Sequence, residues 1–422
     1  MPGRPPLTDL YLQATYKAAW ELLQPLLPSR GSDCDYWWSY TGLHLAHLLD
    51  AAGYPTERQI EALLFHYHHI VPYFGPAPAS NGTFQWKTVN TVQGLPVEYS
   101  WKWNMATERP QVRYTFEATN GSSGSPSDPL NQGPSRDLLY SIANAYPKID
   151  LAWTNHFFAT LFDHDRHRYA QEQADCHITT TIMVAAEFIK TGLHFKVYFK
   201  SRRIGIRDVP IEVPAATMLY DFLNNDPEGR LLKPAILGID CVPAPHSRIK
   251  LYFRTQHVSF STINTVMTLD NRKSISSDML ESLRTLLAAV TGIPWDYPDD
   301  HDWPINPRFK DIVRKGSARV PLLYPAYGFY FDIAPGRGCP DVKVQLPLYV
   351  YGREEGELAN GLAQWMRDNG RGEYADQFLK ALPRLGMPRG LQSYLSFMFT
   401  DNDQLEITSY VMPVLSKTPW VI

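Results

Sequence analysis

The sequence predicts an α+β fold in one domain: a closed antiparallel β-barrel with a wet, solvent-filled interior, surrounded by helices. Three observations predict it. Five short segments alternate apolar and polar residues with a period of two. Helical stretches lie between the strand pairs at spacings of about 50 to 90 residues, as expected of helices packing on the apolar face. The polar face is concentrated in Arg, Lys and Tyr instead of the usual mix of Glu, Lys, Ser and Thr. One wet face on an open sheet produces alternation by itself. A basic, aromatic face is placed most economically by curling the sheet around it.

Each element follows from its own pattern. Apolar residues at three- and four-residue steps predict helices over 10–27, 36–52 and 59–70, the last preceded by Tyr54-Pro55-Thr56. Residues 71–95, rich in Gly, Pro, Asn and Thr, and 119–135 read as loops, too short for interdomain linkers. In 96–101, Val97, Tyr99 and Trp101 oppose Glu98 and Ser100. In 111–117, Val112, Tyr114 and Phe116 oppose Arg113, Thr115 and Glu117. In 194–200, Phe195, Val197 and Phe199 oppose His194, Lys196, Tyr198 and Lys200. In 248–254, Ile249, Leu251 and Phe253 oppose Arg248, Lys250, Tyr252 and Arg254. In 342–348, Val342, Val344, Leu346 and Leu348 oppose Lys343, Gln345 and Pro347. Further helices are predicted over 136–146, 154–168, 214–224, 277–291, 356–368 and 373–382. The organisation expected is a helical extension over 1–32 and a barrel domain over 33–422.

Composition narrows the partners. The chain has 422 residues, and 40 Lys and Arg against 43 Asp and Glu leave a net charge of −3. That offers no global field for nucleic acid or an anionic membrane, so any positive site is local. The four cysteines, Cys34, Cys176, Cys241 and Cys339, lack zinc-site spacings and are too sparse for a disulfide scaffold. No signal-peptide core and no run of 18 apolar residues occurs. A soluble cytoplasmic protein with no nucleic-acid or membrane partner is expected.

Inward-facing Arg113, Lys196, Arg248, Lys250 and Lys343 would repel one another unless an anion occupied the interior, because desolvated like charges cost several kcal/mol. Phosphate or diphosphate fits, since Arg offers paired hydrogen bonds and Lys a point charge. The interleaved Tyr198 and Tyr252, with Tyr349 or Tyr351 as further candidates, have ring faces that attract a cation. Anion clamps beside cation-stabilising rings point to ionisation of a diphosphate ester. Glu98 is the odd charge: either a salt-bridge partner of Arg113 or a lysine, or an acceptor for an N–H or O–H on the nucleophile. The acidic run Asp299-Asp300-His301-Asp302 is flanked by Pro and reads as a loop or cap. The basic residues can neutralise a diphosphate, so no metal and no cofactor is expected.

These segments resemble a known family. The pieces are WW at 37–38 followed by TGLHLAHLLDAAGY, VPYFGP at 71–76, PVEYSWKW at 96–103, VRYTFEA at 112–118 with DPLNQ at 128–132, KVYF at 196–199, RIKLYF at 248–253 and KVQLP at 343–347. Together they resemble the fungal dimethylallyltryptophan synthase family of aromatic prenyltransferases, from about residue 33 to 412. The resemblance implies a ten-stranded antiparallel barrel of repeated ααββ units. It also implies metal-independent transfer of a dimethylallyl group from its diphosphate to an electron-rich aromatic carbon, in secondary metabolism. By motif, Glu98 would bind the indole N–H; Arg113, Lys196, Arg248 and Lys250, with Lys343 and Gln345, would hold diphosphate; Tyr198, Tyr252 and Tyr410 would shield the allyl cation. Met183 departs from the pattern. It stands where members that alkylate carbon 4 of free tryptophan carry a lysine proposed to remove the ring proton. That favours another regiochemistry or acceptor, such as a tryptophan-containing cyclic dipeptide, another indole, or a phenolic polyketide or xanthone. The partners expected are dimethylallyl diphosphate and an aromatic acceptor, and a homodimer is compatible with the reading.

Other motifs carry less. His44 and His47, His66, His68 and His69, and His164 and His167 read as structural histidines, and Cys339 in GRGCP as a turn residue. A loop over 121–133 reads equally as a lid or as plain surface. A non-catalytic barrel that binds a phosphorylated or aromatic metabolite is the second reading, and it differs in releasing no diphosphate.

Overall fold

A computed structural model describes residues 19–91, 93–103, 108–162, 165, 180–190, 192–200, 213–255, 257–307, 327–386, 391–402 and 404–415. Ten strands run β1 Val97–Lys102, β2 Gln111–Phe116, β3 Ile182–Ile189, β4 Gly192–Phe199, β5 Lys233–Asp240, β6 Ile249–Thr255, β7 Tyr327–Ile333, β8 Asp341–Pro347, β9 Leu391–Phe399 and β10 Leu405–Met412. Each pairs antiparallel with its neighbour in sequence, and β1 closes on β10 through Tyr99–Val411 to Lys102–Thr408. Closure removes both sheet edges and leaves two surfaces, one facing helices and one facing inward.

A pair of helices precedes each hairpin, so the chain repeats an ααββ unit around the barrel. The first pair, Ser32–Ala51 and Thr56–Ile70, carries π-helical turns at Trp38–Gly42 and His66–Ile70. Gly133–Ala145 and Ala152–Leu161 precede β3; Pro214–Asn225 and Pro227–Leu231 precede β5; Phe260–Thr268 and Ser277–Thr291 precede β7; Glu355–Asp368 and Ala375–Ala381 precede β9. Local chemistry sets several ends. The Asp128 carboxylate accepts from the N–H groups of Gln132 and Gly133 at 2.8 and 3.0 Å. Gly292, at φ 77°, ends the long helix in the left-handed region. The described start of the chain, Ala19–Leu23, lies in the same helical layer: the Trp20 ring is 4.5 Å from that of Trp38. Among the described residues no helix is long and apolar enough to cross a membrane.

The core lies between the sheet's outer face and the helices. Tyr99, Trp101, Tyr114, Phe195 and Phe331 are all buried there. Trp101 and Trp103 pack on Phe378 with centroids 5.3 and 4.8 Å away. Some polar tips find partners: Tyr99 Oη donates to Thr41 O at 2.8 Å, and Thr41 Oγ1 lies 2.8 Å from His66 Nε2. Each outward residue therefore fixes its inward neighbours. Replacing Phe378 with Ala is expected to lower unfolding free energy by about 3–5 kcal/mol in urea titrations, since two indoles lose their common contact.

Candidate active site

Inside the barrel the even-numbered strands all run the same way, from a charged end to a more apolar one. The charged end is assembled by register. Arg113 pairs across with Glu187, and Glu187 with His194. Arg113 Nη1 donates to Glu187 Oε1 at 3.0 Å, the Lys196 ammonium bonds the same oxygen, and His194 Nδ1 lies 3.1 Å from Oε2. Arg113 Nη2 donates to Thr408 Oγ1 at 2.9 Å. Lys250 and Arg248 converge on Asp240 at 3.0 and 2.7 Å, and Arg248 also reaches Asp332 at 3.0 Å. Lys343 and Lys102 share Glu406 at 2.7 and 2.6 Å.

This arrangement corrects one expectation. The cations do not depend on an anionic ligand for neutralisation, because Glu187, Asp240, Asp332 and Glu406 stand among them. Burial opposes ionisation of Glu187, but Lys196, His194 and Arg113 hold its carboxyl well below the usual range. Burial likewise opposes ionisation of Glu406, and Lys343 and Lys102 overcome it. Desolvation wins at Lys250, pushed down to about 8, and at Asp332, pushed up. The cations still outnumber these carboxylates. Arg113 Nε is buried without a hydrogen-bond partner among the described residues, a donor available to a ligand oxygen. The Arg248 side chain, 40% exposed, stands at the rim.

Next along the strands comes a belt of tyrosines. The rings of Tyr198 and Tyr252 are 5.9 Å apart, those of Tyr252 and Tyr330 4.7 Å, and those of Tyr394 and Tyr410 6.4 Å. Tyr330 and Tyr394 were not singled out by the alternation. Gly238 makes room for the belt, since a Cβ there would lie 2.9 Å from the Tyr198 ring. The two remaining candidates separate. Tyr351 packs in the outer layer against Trp303, whereas Tyr349 Oη is 2.9 Å from Tyr394 Oη.

Beyond the belt lies the more apolar end of a chamber of about 170 Å³ free volume, lined there by Met183, Ile236, Phe253 and Met412. Glu98 and Gln345 share this wall, Gln345 opposite Gly328 and one row past Lys343. Glu98 makes no ion pair with Arg113. A β-bulge between Tyr410 and Val411 turns Ser393 inward, and its hydroxyl donates to Glu98 Oε1 at 2.5 Å. Desolvation raises the Glu98 pKa to about 8, with the Ser393 bond opposing. Burial thus favours the protonated form of this carboxyl.

Features outside the barrel serve the fold. Burial pushes His44 and His66 down to about 3, consistent with structural histidines. Asp299 pairs with Arg284 at 2.7 Å, and Asp302 Oδ1 accepts from the Val258 N–H at 2.7 Å. His164, His167 and Cys176 lie outside the described residues. Among the described residues no three His, Cys, Asp or Glu side chains gather as a metal site.

Two outcomes follow from this geometry. Because the folded chain holds the Glu98 proton up to about 8, stability falls as pH rises from the ordinary carboxylate range through that value. Thermal unfolding across pH is expected to show this slope reduced in Glu98→Gln. Replacing Gly238 with Ala is expected to displace the Tyr198 ring, lowering turnover by about tenfold while circular dichroism reports an intact fold.

Comparison with known proteins agrees with this architecture. The family model for tryptophan dimethylallyltransferase matches residues 33–381. Prenyltransferase anuH of Penicillium roqueforti is 46% identical, covering 94% of this chain and 92% of that protein. Xanthone prenyltransferase B of Emericella nidulans is 38% identical, with coverage of 94% and 92%. Among solved structures, AnaPT from Neosartorya fischeri superposes with a TM-score of 0.75 at 21% identity, covering 94% of this chain and 98% of that one. NotF in complex with brevianamide F and DMSPP gives 0.74 at 20%, with coverage of 94% and 99%. These structures share the fold. The chain belongs to the tryptophan dimethylallyltransferase family and is an aromatic prenyltransferase.

Proposed function

We propose that this prenyltransferase moves a dimethylallyl group from dimethylallyl diphosphate to an electron-rich carbon of an indole or phenolic acceptor, without a metal. The observation that carries the reading is one chamber inside the barrel lined by a cation cluster, a tyrosine belt and the buried Glu98 carboxyl. NotF, the neighbour solved with brevianamide F and DMSPP, is consistent with such a pair of ligands.

Arg113, Lys196, Arg248, Lys250 and Lys343, joined by Lys102, hold the diphosphate. The carbon–oxygen bond of the ester breaks, and its electron pair leaves with the diphosphate onto charges already in place, which spares reorganisation at the moment of ionisation. The allyl cation then lies between Tyr198, Tyr252, Tyr330 and Tyr410, each ring face contributing about 0.5–2 kcal/mol in a desolvated site. The tyrosines also exclude water that would quench the cation. The acceptor ring enters from the apolar end, where Glu98 accepts its N–H or O–H and presents a carbon to the cation. Gln345 stays a candidate diphosphate contact. Met183 supplies soft, adaptable wall and cannot accept a proton, so carbon 4 of free tryptophan is a poor target.

The test combines dimethylallyl diphosphate, EDTA and a panel of indoles and phenols, reading prenylated product and released diphosphate. Product formation with EDTA present supports the proposal; loss of all turnover on chelation, restored by magnesium, refutes the metal-free route. Glu98→Leu, which cannot accept an N–H, is expected to lower kcat/KM about 10²-fold for an indole acceptor. An unaltered value removes the role assigned to Glu98.

A further inference from the structure

On β9, Tyr394 lines the chamber while Leu395 and Phe397 join the core, so by the period of two Ser393 belongs to the outer face. The bulge alters that parity. Tyr410 pairs with Tyr394 but Val411 with Gln392, which leaves Ser393 as the extra residue. Its fully buried hydroxyl reaches past β10 to Oε1 of Glu98 on β1. The bulge is also clamped from outside. Glu355, at the start of the helix Glu355–Asp368, accepts on Oε1 from the Gln392 N–H at 3.0 Å and from the Gln392 side-chain amide at 3.2 Å. Gln392 is fully buried, and its own Oε1 has no hydrogen-bond partner among the described residues. An unpaired buried acceptor opposes folding, so this geometry is held against a cost. Glu98 has a second oxygen, and no described residue bonds it. The residue is half-buried and lines the chamber, which leaves Oε2 to a ligand. The neighbouring groups are otherwise engaged. Thr115 of β2 stands opposite Glu98 in register, and Arg113 on the same strand is bound by Glu187 and Thr408. Tyr410 of β10 stands opposite Ser100. Tyr349 and Tyr394, on which both Glu98 and Arg254 act, have their hydroxyls 2.9 Å apart.

We propose that Ser393 is a positioning residue for the acceptor: by holding Oε1 of Glu98 it presents Oε2 to the ring, so the chamber prefers aromatic acceptors with an N–H or O–H on the edge facing Glu98. This rests on the prenyl-transfer reading above. The terminal torsion of a glutamate is broad, so a carboxyl without this bond presents its oxygens at no fixed angle. Fixing one oxygen fixes the carboxyl plane, and with it the line along which a donor approaches and the ring carbon shown to the cation. The same bond bears on the proton. A proton on this carboxyl belongs on Oε2, the oxygen that Ser393 does not occupy, and there it turns an acceptor into a donor. The form that receives an N–H is therefore the carboxylate. Burial raises the Glu98 pKa to about 8, and the Ser393 bond opposes that rise because it favours the charged form. Loss of the hydroxyl moves the pKa further up, and the pH at which turnover rises moves with it.

The experiment uses the full chain, dimethylallyl diphosphate and two acceptor pairs, indole with 1-methylindole and 1-naphthol with 1-methoxynaphthalene, the second of each lacking the donor. Ser393→Ala is expected to lower kcat/KM for the donor-bearing member about tenfold relative to its methylated partner, chiefly in kcat, and to move the rising limb of its pH profile upward. Ser393→Thr, which keeps a hydroxyl, is expected to restore both. A second readout needs no turnover: infrared difference spectra across pH follow the C=O stretch of protonated Glu98, assigned by its absence in Glu98→Gln. In Ser393→Ala that band is expected to move to higher frequency and to titrate at higher pH. An unchanged band and titration, or acceptor ratios equal to those of the unaltered chain, overturns the assignment. Ser393→Cys, close in size and a weak donor, serves the same measurements if the Ala variant does not fold. Failure of the prenyl-transfer reading looks different: no acceptor elicits diphosphate release, while the infrared comparison still decides on Ser393.

Discussion

The pairing of buried cations with carboxylates on neighbouring strands is the interaction on which the interior depends. A lone charge taken out of water costs several kcal/mol, and a cluster of like charges costs more. Here Glu187 serves Arg113 and Lys196, Asp240 serves Lys250 and Arg248, and Glu406 serves Lys343 and Lys102. The carboxylates hold the donors at fixed positions before any ligand arrives. Because cations remain in excess, the end stays attractive to an anion. Preorganisation of this kind lets a barrel bind a leaving group without first gathering its ligands.

Antiparallel closure gives that charge a direction. The even-numbered strands share one polarity, so β4 and β6 change in step, Lys196 and Lys250 first and Tyr198 and Tyr252 next, with Glu98, Met183 and Arg254 also in the chamber wall. In the proposed reaction a departing anion and an incoming nucleophile would stand on either side of the aromatic faces. Gly238 and the bulge that admits Ser393 are small departures from regular strand geometry at the belt and at Glu98.

Much of this was legible in the sequence, and the gap has a physical cause. β1, β2, β4, β6 and β8 announce themselves by alternation because their inward faces are charged. β3 faces inward with Met183, Ala185 and Glu187, β5 with Ile236, Gly238 and Asp240, and β7 is aromatic on both faces. Their mostly apolar runs hide the period of two. The cations sit on legible strands, whereas Glu187, Asp240 and Asp332 sit on the obscured ones and Glu406 on β10. Alternation alone therefore showed charges without partners and implied a polyanion to balance them. A single acid in an otherwise apolar run, as in VAAEF, ILGID and FYFDI, was the available signal. The Ser393 bulge had none, because register is a property of strand pairing.

The period of two also separates burdens residue by residue. Tyr99 and Trp101 carry packing against helices, while Glu98 and Ser100, their immediate neighbours, touch the chamber. An inward side chain at the apolar end can change size or polarity without opening a void beneath a helix. A protein built this way can exchange one aromatic guest for another through single replacements at low thermodynamic risk, and the same freedom does not extend to the ion-paired end, where each charge is held by its neighbour.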